Sequence, residues 1–405
     1  MEARACSLTV PIPGSAHASV SSSMGAPVLN LADPDYLGRA DTQPESLHSD
    51  NSSAPAADRH SAPSAGPSRP SVPAPPECDP PTFRELEGEF AAFLRSDEAV
   101  ILPSPFEAAL VLFTALLAPD DLVILTDPCP APLHAAAELA PADVVHVPRG
   151  DLEALASTLS AGHPGRLRLL VTEAVSSLDG VPLPLAEMAG LARHHEALLL
   201  LDDTEGVGVL GPGGRGSAAS LGSGESPFLL TGSASGALGP AKWGFVAGDR
   251  EVMEAVRFHA ASLTGPSACT QDALSAAAHY LHLAVRGDAA RTQVLESAAY
   301  FRTRLETAAF SVRSGSHPLL AVELPDEASA HKMAAALLAD RIVVRPVTSI
   351  LGAKTNSNSS GPSFLRVKLS AAHYTTELDG AVVSFIQAGR RLGVLPTFCM
   401  YQRKR

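Results

Sequence analysis

Leu199-Leu-Leu-Asp202-Asp203-Thr204-Glu205-Gly-Val-Gly-Val-Leu-Gly-Pro-Gly-Gly-Arg-Gly216 is an apolar run that stops at three acids and passes into glycines. Read from Ala197, ALLLLDD (197–203) is short and unbroken by polar residues, the composition of a strand buried on both faces. Similar runs lie upstream: LVILT (122–126), DVVHV (143–147) and LRLLVT (167–172), separated by helix-length segments such as PLAEMAGLARHHE. Such alternation predicts crossovers of the strand–helix–strand kind and a mostly parallel sheet covered by helices. Open α/β sheets bind ligands beyond the carboxyl ends of their strands, so polar residues that directly follow strands are the first candidates for a site. Three segments qualify: VTEAVSSLDGVPLPL (171–185), the 199–216 stretch, and TGSASGALG (231–239).

The rest of the chain bounds what surrounds them. Its 405 residues are enough to bury a large core, and 45% are hydrophobic. The net charge of -13 disfavours nucleic acid or an anionic membrane as the main partner. Cys6, Cys78, Cys129, Cys269 and Cys399 have neither CxxC nor metal-ligand spacing, so we expect reduced thiols, no metal site and a cytoplasmic setting. The longest uncharged apolar stretch, 108–118, is too short to cross a bilayer and reads as a buried helix. Residues 1–27 read as a disordered tail, 28–42 as an N-terminal arm, and 43–82, rich in Pro, Ser and Ala, as a disordered insertion. From Phe83 apolar residues recur at helical spacing, opening a large domain over 83–289. Long helices around LLAVELP (319–325), RIVVRPV (341–347) and SFLRVKLS (363–370) make a smaller α+β domain over 290–396, followed by a tail at 397–405.

In this order and spacing the three segments resemble the α-oxoamine synthases, which include glycine C-acetyltransferase, 8-amino-7-oxononanoate synthase and serine palmitoyltransferase. VTEAVSSLDGVPLPL is similar to the family pattern T-D/E-x-x-F/Y-S-M-D-G-x-x-A/P-P-L, and the 199–216 stretch to D-D-x-H-G-x-G-x-x-G-x-x-G-R-G. LADPDYLG (31–38) is similar to the N-x-Y-L-G arm, and RVKLSAAHYT (366–375) to the carboxyl-terminal block. The resemblance covers roughly 28–396 without the insertion. It implies a fold-type I pyridoxal-phosphate transferase, a dimer, and amino-acid and acyl-CoA ligands.

That chemistry needs a lysine for the aldehyde, a carboxylate for the pyridine nitrogen, donors for the phosphate and a cation for the substrate carboxylate. On the resemblance, Asp202 is the pyridine partner, Arg366 the substrate cation, and Ser177, Ser235, Phe106 and Thr264 cofactor contacts. Four positions depart. The pattern T-G-S/T-x-S-K-A-L-G reads Ser235-Gly236-Ala237 here, so no amine stands where the aldimine forms; Lys242, six residues on, is a remote substitute. Glu205 replaces a histidine, and a carboxylate there would repel a phenolate unless burial protonates it. Ser104-Pro105-Phe106 replaces S-G-Y/F, and proline offers no N–H to a phosphate. The ring-stacking histidine is absent, with His134 displaced toward the following helix, and a glycine-rich G-S-G-x-R stretch is missing altogether. Three functions follow as expectations: a degenerate, non-catalytic or regulatory subunit that pairs with itself or with a lysine-bearing homologue; an active acyl-CoA:amino-acid acyltransferase; or a binding protein for an anionic small molecule around Arg366.

Overall fold

Each central apolar run carries two alternating sets of side chains, and each set meets its own layer of helices. The computed structural model describes residues 19–21, 27–32, 35–38, 83–161, 167–221, 228–239, 243–263, 271–347 and 363–395. Two short strands, β1 (Ser19–Ser21) and β2 (Pro27–Asn30), precede helix α1 (Phe83–Leu94) and strand β3 (Glu98–Leu102). Then come α2 (Pro105–Leu116), β4 (Leu122–Asp127), α3 (Ala131–Leu139), β5 (Asp143–Pro148), α4 (Leu152–Ser160), β6 (Arg168–Glu173), α5 (Leu185–His194) and β7 (Leu198–Asp202). Strands β8 (Phe228–Ser233) and β9 (Gly244–Gly248) lead into α6 (Arg250–Leu263) and α7 (Gln271–Val285).

Strands β3 to β9 form one seven-stranded sheet in the order β3-β9-β8-β7-β6-β4-β5. All neighbours are parallel except β9, which runs antiparallel to both β3 and β8. Leu122, Ile124, Leu170, Leu199 and Leu201 face α1, α4, α5 and α7, where Phe90, Leu155, Met188 and Leu281 meet them. Val123, Leu125, Leu169, Val171 and Leu200 face the other way, onto α2, α3 and α6. The fold is therefore α/β with helices on both faces, as the alternation predicts. Residues 108–116 of the 108–118 stretch lie in α2, which has Ser104 as its N-cap, accepting from the Glu107 N–H at 3.2 Å, and Pro105 in its first turn.

A second core gathers α8 (Asp288–Thr307), β10 (Leu319–Leu324), α9 (Glu327–Ala339), β11 (Ile342–Val343), β12 (Arg345–Val347), β13 (Ser363–Lys368) and α10 (Thr375–Arg391) around Phe301, Val322, Leu337, Leu365 and Phe385. The structure differs from the sequence reading in three places here. RIVVRPV is two strands, because β11 pairs with β2 whereas β12 is the edge of the sheet β10-β13-β12. Pro346, lacking an N–H, suits such an edge. Within the stretch read as a disordered tail, Ser19–Ser21 pairs antiparallel with β2, whose free edge offers it backbone partners. The 289/290 division falls inside α8, whose Val294, Ala298, Phe301 and Leu305 all belong to this second core. The insertion at 43–82 and the 397–405 tail lie outside the described residues.

Candidate functional site

Strands β6 and β7 end side by side, which sets Glu173 opposite Asp202 in register at the carboxyl edge of the sheet. Asp202 Oδ1 accepts from the Thr204 N–H at 2.9 Å and the Thr204 hydroxyl at 2.5 Å. Burial raises the Asp202 carboxyl to about 6, against the opposing pull of those donors. Burial, with the neighbouring Asp202 charge adding to it, raises Glu173 to about 8 although Arg149 lies 3.6 Å away and the Ser177 N–H donates to it at 3.0 Å. Cys129 is half-buried and free beside these acids; burial first, then the charges of Glu173 and Asp202, push its thiol up.

Glu205 is not an isolated acid. The turn after β7 directs it under β13, where Lys368 Nζ donates to both carboxylate oxygens at 2.8 and 3.1 Å. From the N-terminal arm the Tyr36 hydroxyl donates to Oε2 at 2.5 Å, and the Lys368 ammonium sits 5.2 Å from the centre of the Tyr36 ring. All three side chains are buried. Burial, the largest single influence, would raise the Glu205 carboxyl, but Lys368, His317 and the Tyr36 hydroxyl together hold its pKa below the ordinary 4.5. Burial therefore does not protonate Glu205, which is an ionised acid committed to an internal ion pair. His317 closes the cluster, its Nε2 donating to the Glu205 carbonyl at 2.8 Å and its Nδ1 accepting from the Leu319 N–H at 3.0 Å. These partners call for the neutral ring, and burial lowers its pKa to about 4.

Sequence reasoning passed over Lys368 and His317. For Lys368 the signal existed: two residues beyond Arg366 on one strand, it lies on the same face. His317 stands in a connecting segment with nothing local to mark it. Tyr36 was quoted within the arm block without a role.

The other candidates fall as follows. Gly236 is buried with φ of +88° and bridges Gly239 within the loop after β8. Ser235 keeps its hydroxyl 2.8 Å from that of Ser233. Phe106 is half-buried on α2 and packs against the second face of the sheet. The hydroxyl of Ser104 is taken by the α2 cap. The Ser177 carbonyl accepts from Arg366 at 3.0 Å, while the Arg366 Nε is buried without a hydrogen-bond partner. Burial, then the nearby Arg345, lowers the Arg366 pKa. His134 lies on α3, 3.5 Å from Glu138 and paired with the ring of His146. Thr264 and Lys242 lie outside the described residues. Asp202, Glu205, Ser177 and Arg366 thus converge between the sheet edge and β13. Among the described residues no group of His, Cys, Asp and Glu is disposed to hold a metal ion, and no helix is long and apolar enough to cross a membrane.

The family model for aminotransferase class I and II matches residues 78–385. The human mitochondrial 2-amino-3-ketobutyrate coenzyme A ligase is 29% identical over 313 residues, covering 77% of this chain and 73% of that protein. Its counterpart from Escherichia coli K12 is 28% identical over 316 residues, 78% of each chain. Among solved structures, Sphingomonas wittichii serine palmitoyltransferase superposes with a TM-score of 0.75 at 20% identity, over 92% of this chain and 90% of that one. The 8-amino-7-oxononanoate synthase of Francisella tularensis gives 0.68 at 17% identity, over 90% and 98%.

Proposed function

Since the chain belongs to the aminotransferase class I and II family, we propose that it is a degenerate relative of the pyridoxal-phosphate acyltransferases, serving as a non-catalytic or regulatory subunit. The observation that carries this reading is Gly236, where the family motif calls for the aldimine lysine. Its φ of +88° lies in a region that glycine enters freely and a lysine enters only with strain. Ser235 before it and Ala-Leu-Gly after it keep the register of the motif, so the absence is not an offset of numbering.

Three further observations support it. Among the described residues the buried amine, Lys368, is bound to Glu205 rather than free. Pro105 presents no N–H at the start of α2, and the Ser104 hydroxyl is occupied by the cap. The residues present therefore do not fit a covalently held pyridoxal phosphate, although Asp202 keeps the carboxylate that would face its ring nitrogen and Arg366 a cation for an amino-acid carboxylate. The scaffold is kept while the cofactor contacts are lost, which is the pattern expected when selection acts on shape and on a partner.

The partner we propose is a lysine-bearing homologue, in a dimer built on the same family surfaces, with amino-acid and acyl-CoA ligands belonging to that partner's site. Purification from the native cell under mild conditions tests this. A stoichiometric lysine-bearing relative in the purified complex is the expected result; a clean homodimer or monomer that releases CoA from acyl-CoA and glycine or serine contradicts it.

A further inference from the structure

The N-terminal arm belongs to both cores at once. Leu31 is wholly buried in the second core, whereas Tyr36 and Leu37 are buried among the residues that line the large sheet. Its backbone is bonded to the second core: the Leu29 N–H donates to the Arg341 carbonyl at 2.9 Å, while the Leu31 carbonyl accepts from the Lys368 N–H at 2.7 Å and the Tyr36 carbonyl from the Ala371 N–H at 2.8 Å. His373 Nε2 donates to the Asn30 carbonyl at 3.2 Å, with its Nδ1 accepting from the Ser370 N–H. Gly38, at φ of +62°, ends the arm so close to Ala372 that an added Cβ would stand 2.6 Å from it. The Tyr36 side chain leaves this backbone and crosses to Glu205, in the turn after β7, where Lys368 arrives from β13.

We propose that the arm is a strap, latched at Glu205, that holds the two cores shut against each other over the carboxyl edge of the sheet. The latch works through the burial of its charges. Parting the cores draws the Lys368 ammonium from the Glu205 carboxylate while both are still shielded from water, so a partial opening loses the ion pair before solvent can replace it. Tyr36 makes the arm share in that loss, because its hydroxyl donates to the same carboxylate and its ring lies 5.2 Å from the ammonium. The same opening breaks the bond from His317 to the Glu205 carbonyl, from Arg366 to the Ser177 carbonyl and from Arg313 to Asp179. These contacts are short-range and give way together, so the strap has two states, latched and released, and the latched one is the resting state.

The strap does not depend on what stands at position 236, so an aldimine formed by this chain would contradict the proposed function and leave the strap untouched. Its test pulses the purified full-length chain with acetic anhydride and compares acetylation of two lysines by peptide mass spectrometry. Lys332, exposed on α9, reports the strength of the pulse, whereas Lys368, 6% exposed, reacts when the latch releases. In the unmodified chain Lys368 is expected to react roughly tenfold or more slowly than Lys332. Tyr36→Phe keeps the ring and removes the hydroxyl, and should raise the ratio of Lys368 to Lys332 labelling about tenfold, the shift that losing a hydrogen bond to a charged group produces. Tyr300→Phe is the matched control: that hydroxyl donates to Asp379 at 2.6 Å between α8 and α10, within the second core, and its loss should leave the ratio unchanged. Equal labelling of the two lysines in the unmodified chain would overturn the strap, as would a ratio that rises alike in both variants or in neither. The first comparison uses no variant and so does not depend on any variant folding.

Discussion

Gly236 and Glu205 are two of the four positions that differ from the family pattern, and each carries its own energetic signature. A side chain at position 236 must adopt φ near +88°, so Gly236→Ala is expected to cost about 1–2 kcal/mol in a urea unfolding curve. Gly236→Lys should cost at least as much and restore no CoA release, because Lys368 still occupies Glu205. For the ion pair, Lys368→Met leaves a buried carboxylate without its cation and is expected to cost about 3–5 kcal/mol. The double variant Glu205→Gln with Lys368→Met should regain most of that loss, a coupling that a double-mutant cycle reads directly. Near-additive losses would mean that the pair contributes little as a pair. Position 236 was legible in the sequence because the motif fixes its register. The fate of Glu205 was not, since its partners Tyr36, His317 and Lys368 come from segments 112 to 169 residues away.

At the scale of elements, the paired ends of β6 and β7 govern the pH dependence. Glu173 titrates near 4.5 when solvated and about 8 when folded, so between those values the folded state binds a proton that the unfolded chain has lost. Its contribution to stability is full below about pH 4.5 and falls as the pH rises toward 8. Glu205 acts with the opposite sign: its lowered pKa gives stability that is present above about pH 4.5 and lost as the pH falls. Glu173→Gln is therefore expected to flatten the decline in thermal midpoint between pH 5 and 8. An unchanged slope would mean that another group, such as Asp203, raised to about 7 by burial, sets it. Strands and helices were the legible part of the fold, since an apolar run buried on two faces is its own signal. The split of 341–347 was hidden because it depends on which distant strand each half pairs with, β2 or β13.

On the scale of the whole molecule, the two cores are tied by Asp179, which lies in the loop after β6. Its Oδ2 accepts from Arg149 of the large sheet at 3.4 Å and from Arg313, which precedes β10. Removing this carboxylate, 2% exposed, takes away the acid that Arg149 and Arg313 share and leaves them with Glu173 at 3.6 Å and Glu323 at 3.2 Å, so Asp179→Ala is expected to cost about 1–3 kcal/mol by urea denaturation. Arg313→Ala should cost less, because that side chain is a quarter exposed. Between the cores, Asp202 stands at the sheet edge and Arg366 on β13 reaches the Ser177 carbonyl in the loop after β6. Among the described residues the buried amine at this site, Lys368, is paired with Glu205. Titrating the purified chain with pyridoxal phosphate and following visible absorbance tests that claim most directly. The chain alone is expected to give no aldimine band, and a band is expected only when a lysine-bearing homologue is present. A saturable band from the chain alone, lost on borohydride reduction with one cofactor fixed per chain, would contradict it.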